Sequence, residues 1–122
     1  MTERQVDAYF ADKPQSRQVF DAARKTIEAA GPATMTVRTQ ISFGNDRKFA
    51  WFWLYNVTKK DPNGVLHIML AIDEAVESSH VRNVEQVSNA RWNHQIVLPT
   101  VADAESAWLR DLVSRAYRYS IR

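Results

Sequence analysis

The run Phe49-Ala50-Trp51-Phe52-Trp53-Leu54-Tyr55 restricts the fold more than any other part of the chain. It is too rich in large aromatics for a surface helix and too short for a buried one, which leaves a central β-strand. A strand sends alternate side chains to opposite faces, here Phe49, Trp51, Trp53 and Tyr55 against Ala50, Phe52 and Leu54. Neither set can lie open to water without an apolar patch of several hundred Å2, so both faces of the sheet have to be covered or used.

The segments around this strand follow from periodicity. Thr2 and Glu3 open a short helix carrying Val6, Tyr9 and Phe10, which Lys13-Pro14 interrupts. From Gln15 to Ala30 the apolar positions Val19, Phe20, Ala23 and Ile27 recur at helical spacing, and Gly31-Pro32 supplies the stop. The period then falls to two: Met35, Val37, Thr39, Ile41 and Phe43 alternate with Thr36, Arg38, Gln40 and Ser42, as in one half-buried strand ended by Gly44-Asn45-Asp46. Lys59 to Gly64 forms a loop whose Pro-Asn-Gly end suits a tight turn, and Val65 to Ile72 forms a third strand. Val81, Val84 and Val87 at three-residue spacing predict a brief helix near Ser79 to Ser88. Asn93 to Leu98 alternates again as a fourth strand, and a last helix runs on from an Asp103 cap through Trp108, Leu112, Ala116 and Tyr117. The order ααβββαβα describes an α+β fold: two layers, a four-stranded and mainly antiparallel sheet, helices on one face. All 122 residues are expected to form a single domain.

Several chemistries are absent from such a chain. With no cysteine there is no disulfide scaffold, no thiolate nucleophile and no cysteine-ligated metal. His67, His80 and His94 stand without a second ligand at metal-binding spacing, so neither a metal nor a cofactor is expected. No GxSxG turn and no glycine-rich phosphate loop occurs. Sixteen Lys and Arg against fourteen Asp and Glu leave a net charge of +2, which makes nucleic acid an improbable partner. The opening residues lack an apolar secretory stretch and no apolar run is long enough to span a membrane, so a cytoplasmic protein without a membrane partner is expected.

What remains is the sheet face away from the helices. If Ala50, Phe52 and Leu54 face the helical layer with Ile41, Phe43, Ile68 and Leu70, then Trp51 and Trp53 line the far face beside Arg38, Gln40, Ser42, His67 and Met69. The opposite parity buries the aromatics as plain core. The first assignment is the expectation, because the smaller set lets the long helices approach to the ~10 Å layer spacing. Near the fourth strand, Arg91-Trp92 can set a guanidinium beside an indole, and His94 follows.

Thr39 to Phe43 (TQISF), Phe49 to Trp51 (FAW), Arg91 to His94 (RWNH), Trp108-Leu109 and Ala116-Tyr117 occur in an order and spacing that resemble the bacterial family catalogued as domain of unknown function 5655. The resemblance runs from about Tyr9 to Tyr117. It implies a small cytoplasmic protein, or a module attached to other domains, of the kind sometimes labelled a predicted transport protein. Relatives often carry two histidines after Arg-Trp-x, whereas Gln95 follows His94 here.

The functional expectation is a non-catalytic binding module for a small molecule or protein segment, with Arg38, Ser42, Trp51, Arg91, Trp92 and His94 as its surface. Two alternatives stay open. One is a small enzyme using His94 as general base with Arg91 holding an anionic substrate. The other is a homodimer sealed through the far aromatic face, so the protein is expected as a monomer or a homodimer.

Overall fold

A computed structural model describes residues 2–55 and 65–121. The elements run α1 (Thr2–Tyr9), α2 (Pro14–Ala30), β1 (Thr34–Val37), β2 (Ile41–Gly44), β3 (Lys48–Tyr55), β4 (Val65–Ile72), β5 (Asn83–Ser88), β6 (Arg91–Leu98), α3 (Val101–Ala104) and α4 (Ala107–Ser120). The strands form a six-stranded sheet in the order β1-β2-β3-β4-β6-β5, every neighbouring pair antiparallel. The α+β class expected from the sequence is the class observed, but the sheet has six strands rather than four.

Both additional strands arise where periodicity is ambiguous. The single strand expected over 35–43 is a hairpin: Met35 pairs with Phe43, Thr36 with Ser42 and Val37 with Ile41, with residues 38–40 as the turn. Paired residues of an antiparallel ladder share a face, so this register leaves the odd-numbered residues on one side throughout and the alternation runs unbroken through the turn. The brief helix expected near Ser79 to Ser88 is instead strand β5, an edge strand bonded to β6 alone. Its Val84–Val87 spacing reflects an irregularity between Gln86 and Ser88, which leaves Val87 half exposed rather than on a helix face. The loop expected over Lys59 to Gly64 lies outside the described residues.

Parity places the core. Ile41 pairs with Phe52 and Phe43 with Ala50, while Phe52 stands opposite Ile68 and Leu70 opposite His94. All of these are essentially buried, and the Phe20 ring of α2 lies edge-on to Phe52 at 5.1 Å. Phe52 and Leu54 therefore face the helical layer, and Trp51 faces away, half buried. One residue leaves its expected side. Gly44 pairs with Lys48 while Phe43 pairs with Ala50, so Phe49 is extra in the ladder and turns inward, edge-on to Tyr117 of α4 at 5.7 Å.

The helices end and join by identifiable contacts. Pro14 sits at the start of α2, where its missing N–H costs nothing. Gly31 closes that helix at φ 149°, a region that L side chains rarely enter, and a Cβ there would strike the Tyr117 ring. The last helical stretch does not begin at an Asp103 cap. Thr100 caps α3 by accepting from the Asp103 N–H at 3.2 Å, and Ser106 caps α4 by accepting from the Leu109 N–H at 3.3 Å. The Thr26 hydroxyl donates to the Ala104 carbonyl at 2.9 Å, tying α2 to α3.

Candidate functional site

The sheet face turned away from the helices carries the row Thr36, Ser42, Trp51, Met69, Gln95 and Asn83, set side by side by strand register. The next row along places Trp53 beside His67 and Val97. Over Ser42 this face sinks into a shallow groove of about 130 Å3, bordered by Arg38, Thr39, Gln40, Lys48 and Trp51. Ser42 is buried at its floor and Trp51 forms one side. Arg91 reaches back from the start of β6 to put its guanidinium 5.0 Å from the Trp51 ring centre, its Nε donating to Asn93 Oδ1 at 3.1 Å.

Both turns that flank the groove are fastened to helices. The β1–β2 turn closes with Arg38 N–H donating to the Gln40 carbonyl at 2.9 Å, and the Tyr9 hydroxyl at the end of α1 donates to the Thr39 carbonyl at 3.0 Å. The β2–β3 turn closes with Asn45 N–H donating to the Arg47 carbonyl at 3.0 Å. It is held to the end of α4, where Arg47 Nη1 donates to the Tyr119 carbonyl at 2.9 Å and Asn45 Nδ2 to Ser120 Oγ at 3.1 Å. Gly44 is required here, since a Cβ at that position would come within 2.8 Å of the Lys48 Cα. Arg38 and Lys48 are thus flexible cations on fixed backbone.

The ion pairs of the described residues lie away from the groove. Among the described residues the ion pairs join Arg17 to Asp7 and Asp21, Arg24 to Glu3 and Glu28, and Arg115 to Glu74 and Asp111. Each of those cations lies on a helix and none on the groove. Arg38, Lys48 and Arg91 take part in no ion pair among the described residues. Unpaired cations beside a half-buried indole, which excludes part of the solvent, interact more strongly with an anion than fully solvated ones do.

The sequence-derived set divides across the two faces. Arg38, Ser42, Trp51 and Arg91 come together at the groove. Trp92 and His94 do not. Trp92 pairs with Ile72, on the parity opposite to Arg91. His94 is 0% exposed within the helix-facing core, and its ring bonds only to backbone. Nδ1 lies 3.0 Å from the Trp92 carbonyl and 3.3 Å from that of Leu70, and Nε2 accepts from the Val76 N–H at 2.9 Å. A ring that accepts at Nε2 and faces carbonyls at Nδ1 is neutral with its proton on Nδ1. Burial also lowers its pKa, against the two backbone bonds that raise it. His94 ties the segment after β4 to the sheet; a buried ring bonded to backbone in this way does not support the general-base role of the enzyme alternative. Arg91 and His94 stand three residues apart in β6, an odd separation that sends them to opposite faces.

Lys48 escaped the sequence reading because its place at the groove depends on the extra residue at Phe49. Its signal was Gly44, where a turn and a ladder irregularity meet. Beside the groove Trp53 stacks on His67 with ring centres 5.4 Å apart, and His67 Nδ1 lies 3.1 Å from the Val65 carbonyl. Burial lowers the His67 pKa, the Val65 bond opposes that shift, and the Arg82 charge adds to the lowering. A larger depression of about 240 Å3 lies among Gln15, Ser16, Val19, Leu66, Leu98 and Thr100. Among the described residues it is lined by amide, hydroxyl and aliphatic groups. Among the described residues no group of three or more His or acidic side chains converges as metal ligands, and no helix is long and apolar enough to cross a membrane.

The family model described as a domain of unknown function (DUF5655) matches residues 6–120. No curated protein and no solved structure matches.

Proposed function

This chain belongs to the DUF5655 family, whose description assigns no activity, and we propose from the open sheet face that it is a non-catalytic binding module for a small anionic ligand. The observation that carries this reading is the convergence of Arg38, Lys48 and Arg91 around Trp51, without carboxylate partners among the described residues. Ser42 adds a hydroxyl and Gln40 an amide that can fix an oxyanion by hydrogen bonds. Neither buried histidine is placed to exchange protons with a molecule in the groove: His94 lies on the other face and His67 is enclosed in the next row, beneath Trp53. That arrangement supports binding as the reading.

Amide and indole NMR resonances test the reading. Small anions should shift the Ser42 amide and the Trp51 indole signals in a salt-dependent way, while neutral molecules of the same size should not. If anions moved only signals of the helical layer, or if neutral molecules shifted the groove as strongly, the proposal would fail.

A further inference from the structure

The two groove cations stand at opposite ends of one short strand. Arg38 lies in the turn before β2, and Lys48 pairs with Gly44, the last residue of β2. A strand of 4 residues spans about 13 Å, and each long side chain covers part of that length from its own end. Between them Ser42 forms the floor and Trp51 a wall. The space of about 130 Å3 is close to that of cavities of ~150 Å3 that hold a benzene ring. The occupant is therefore small, with an apolar middle against the indole and a charged group toward each open end.

From this geometry, and resting on the anion-binding reading above, we infer that the groove takes a short dianion, such as a linear dicarboxylate of about four to six carbons. One carboxylate pairs with the Arg38 guanidinium, where Gln40 can donate a further bond, and the other pairs with the Lys48 ammonium. Because both turns are fastened to α1 and α4, the distance between the two backbone anchors is fixed before binding. A fixed separation selects ligand length, since a molecule too short engages one cation at a time and one too long must buckle against Trp51.

The experiment is a titration of the intact protein with unbranched dicarboxylates of increasing length, with monocarboxylates of matched length and with inorganic phosphate. The Trp51 indole NMR signal is the readout. Dicarboxylates of the favoured length should bind at least about tenfold more tightly than the matched monocarboxylates, the gain expected from a second charge-assisted contact. Arg38→Gln and Lys48→Gln should each remove that advantage. Toward monocarboxylates each variant should lose only about twofold, since a single charge has two ends to choose from and keeps one. Arg38→Lys should retain the preference for dicarboxylates. Amide spectra of the variants outside the groove confirm that the fold is intact. Equal affinity for mono- and dicarboxylates, or no dependence on length, overturns the two-ended groove while leaving an anion-binding surface in place. Failure of every anion to shift the Trp51 signal overturns both.

Discussion

The two faces of the sheet are made by alternate residues of the same strands, yet they handle polar groups in opposite ways. On the helix-covered face the buried His94 has both ring nitrogens engaged by backbone, and its neighbours in the row, Leu70, Ala50 and Phe43, are hydrocarbon. On the open face charged and hydroxyl groups surround aromatics, and the cations lack ion-pair partners among the described residues. The first arrangement stabilises the chain; the second leaves cations and a half-buried indole open to solvent. A histidine in this protein is therefore understood from its face, not from its residue type. His94 is a strut between backbone groups, and His67 is buried on the open face in a stack with Trp53.

The largest effect should come from exchanging one side chain on each face. Phe52→Ala removes a fully buried ring that meets both Phe20 and Phe43, and should cost about 3–5 kcal/mol. Trp51→Ala removes a larger but only half-buried ring, and should cost less than half as much. Denaturant midpoints measured in one buffer order the two. A greater loss for Trp51→Ala would mean that the open face is core, and the contrast between the faces would be gone.

His94→Leu comes next. It strands the Val76 N–H and two carbonyl contacts in the core, and unsatisfied buried groups cost about 1–3 kcal/mol. Amide exchange at Val76 should quicken, and affinity for anions should not change in the folded variant. Loss of anion binding by a folded His94→Leu protein would place His94 in the site after all.

How far these contrasts were legible in sequence depends on what fixes each residue's direction. The parity of Phe52 against Trp51 is not fixed by the pattern, since the run is apolar on both faces; only the room that the smaller set leaves for the helices favoured it, and the grouping of Arg38, Ser42 and Trp51 depended on that choice. The β1–β2 hairpin was not readable, since a turn over residues 38–40 preserves the alternation of Met35, Val37, Ile41 and Phe43. Nor was β5, because an edge strand with one neighbour needs no buried stripe, and Val84 and Val87 mimic a helical step across a ladder irregularity. The parity of His94 with Ile96 and Leu98 already reads as a hydrogen-bonded core position, which is where it lies. Its place in the candidate surface rested on the family-like Arg91 to His94 segment, which the two faces of β6 divide. Lys48 required knowledge of the extra residue at Phe49, which rests on how the β2–β3 turn docks on α4.

Acid should weaken the protein through both faces. Burial holds the His67 and His94 pKa values below the ordinary 6.5, so the unfolded chain takes up protons first as the pH falls. Stability is then fully present above about pH 6.5 and declines as the pH drops from there through the lowered folded-state values. Thermal midpoints at pH 5.5 should lie below those at pH 7.5, and His67→Gln should flatten part of that slope. A midpoint that rises on acidification would contradict burial as the dominant influence on these rings.

The smallest change in stability should accompany the largest change in binding. Arg38 and Lys48 are exposed, and neither forms an ion pair with a described residue, so Arg38→Gln and Lys48→Gln each leave the helical core and both turn anchors untouched. Substitutions at such positions fall within about ±0.5 kcal/mol, and relief of repulsion among Arg38, Lys48 and Arg91 pushes these toward the stabilising side. Arg17→Gln is the matched control, because it breaks pairs with Asp7 and Asp21 that are each worth up to about 1 kcal/mol. Thermal midpoints should therefore stay level or rise slightly for the groove variants and fall for the helix variant. A clear loss of stability on removing Arg38 or Lys48 would show that these cations hold the fold together, and would take away the reason for assigning them to a ligand.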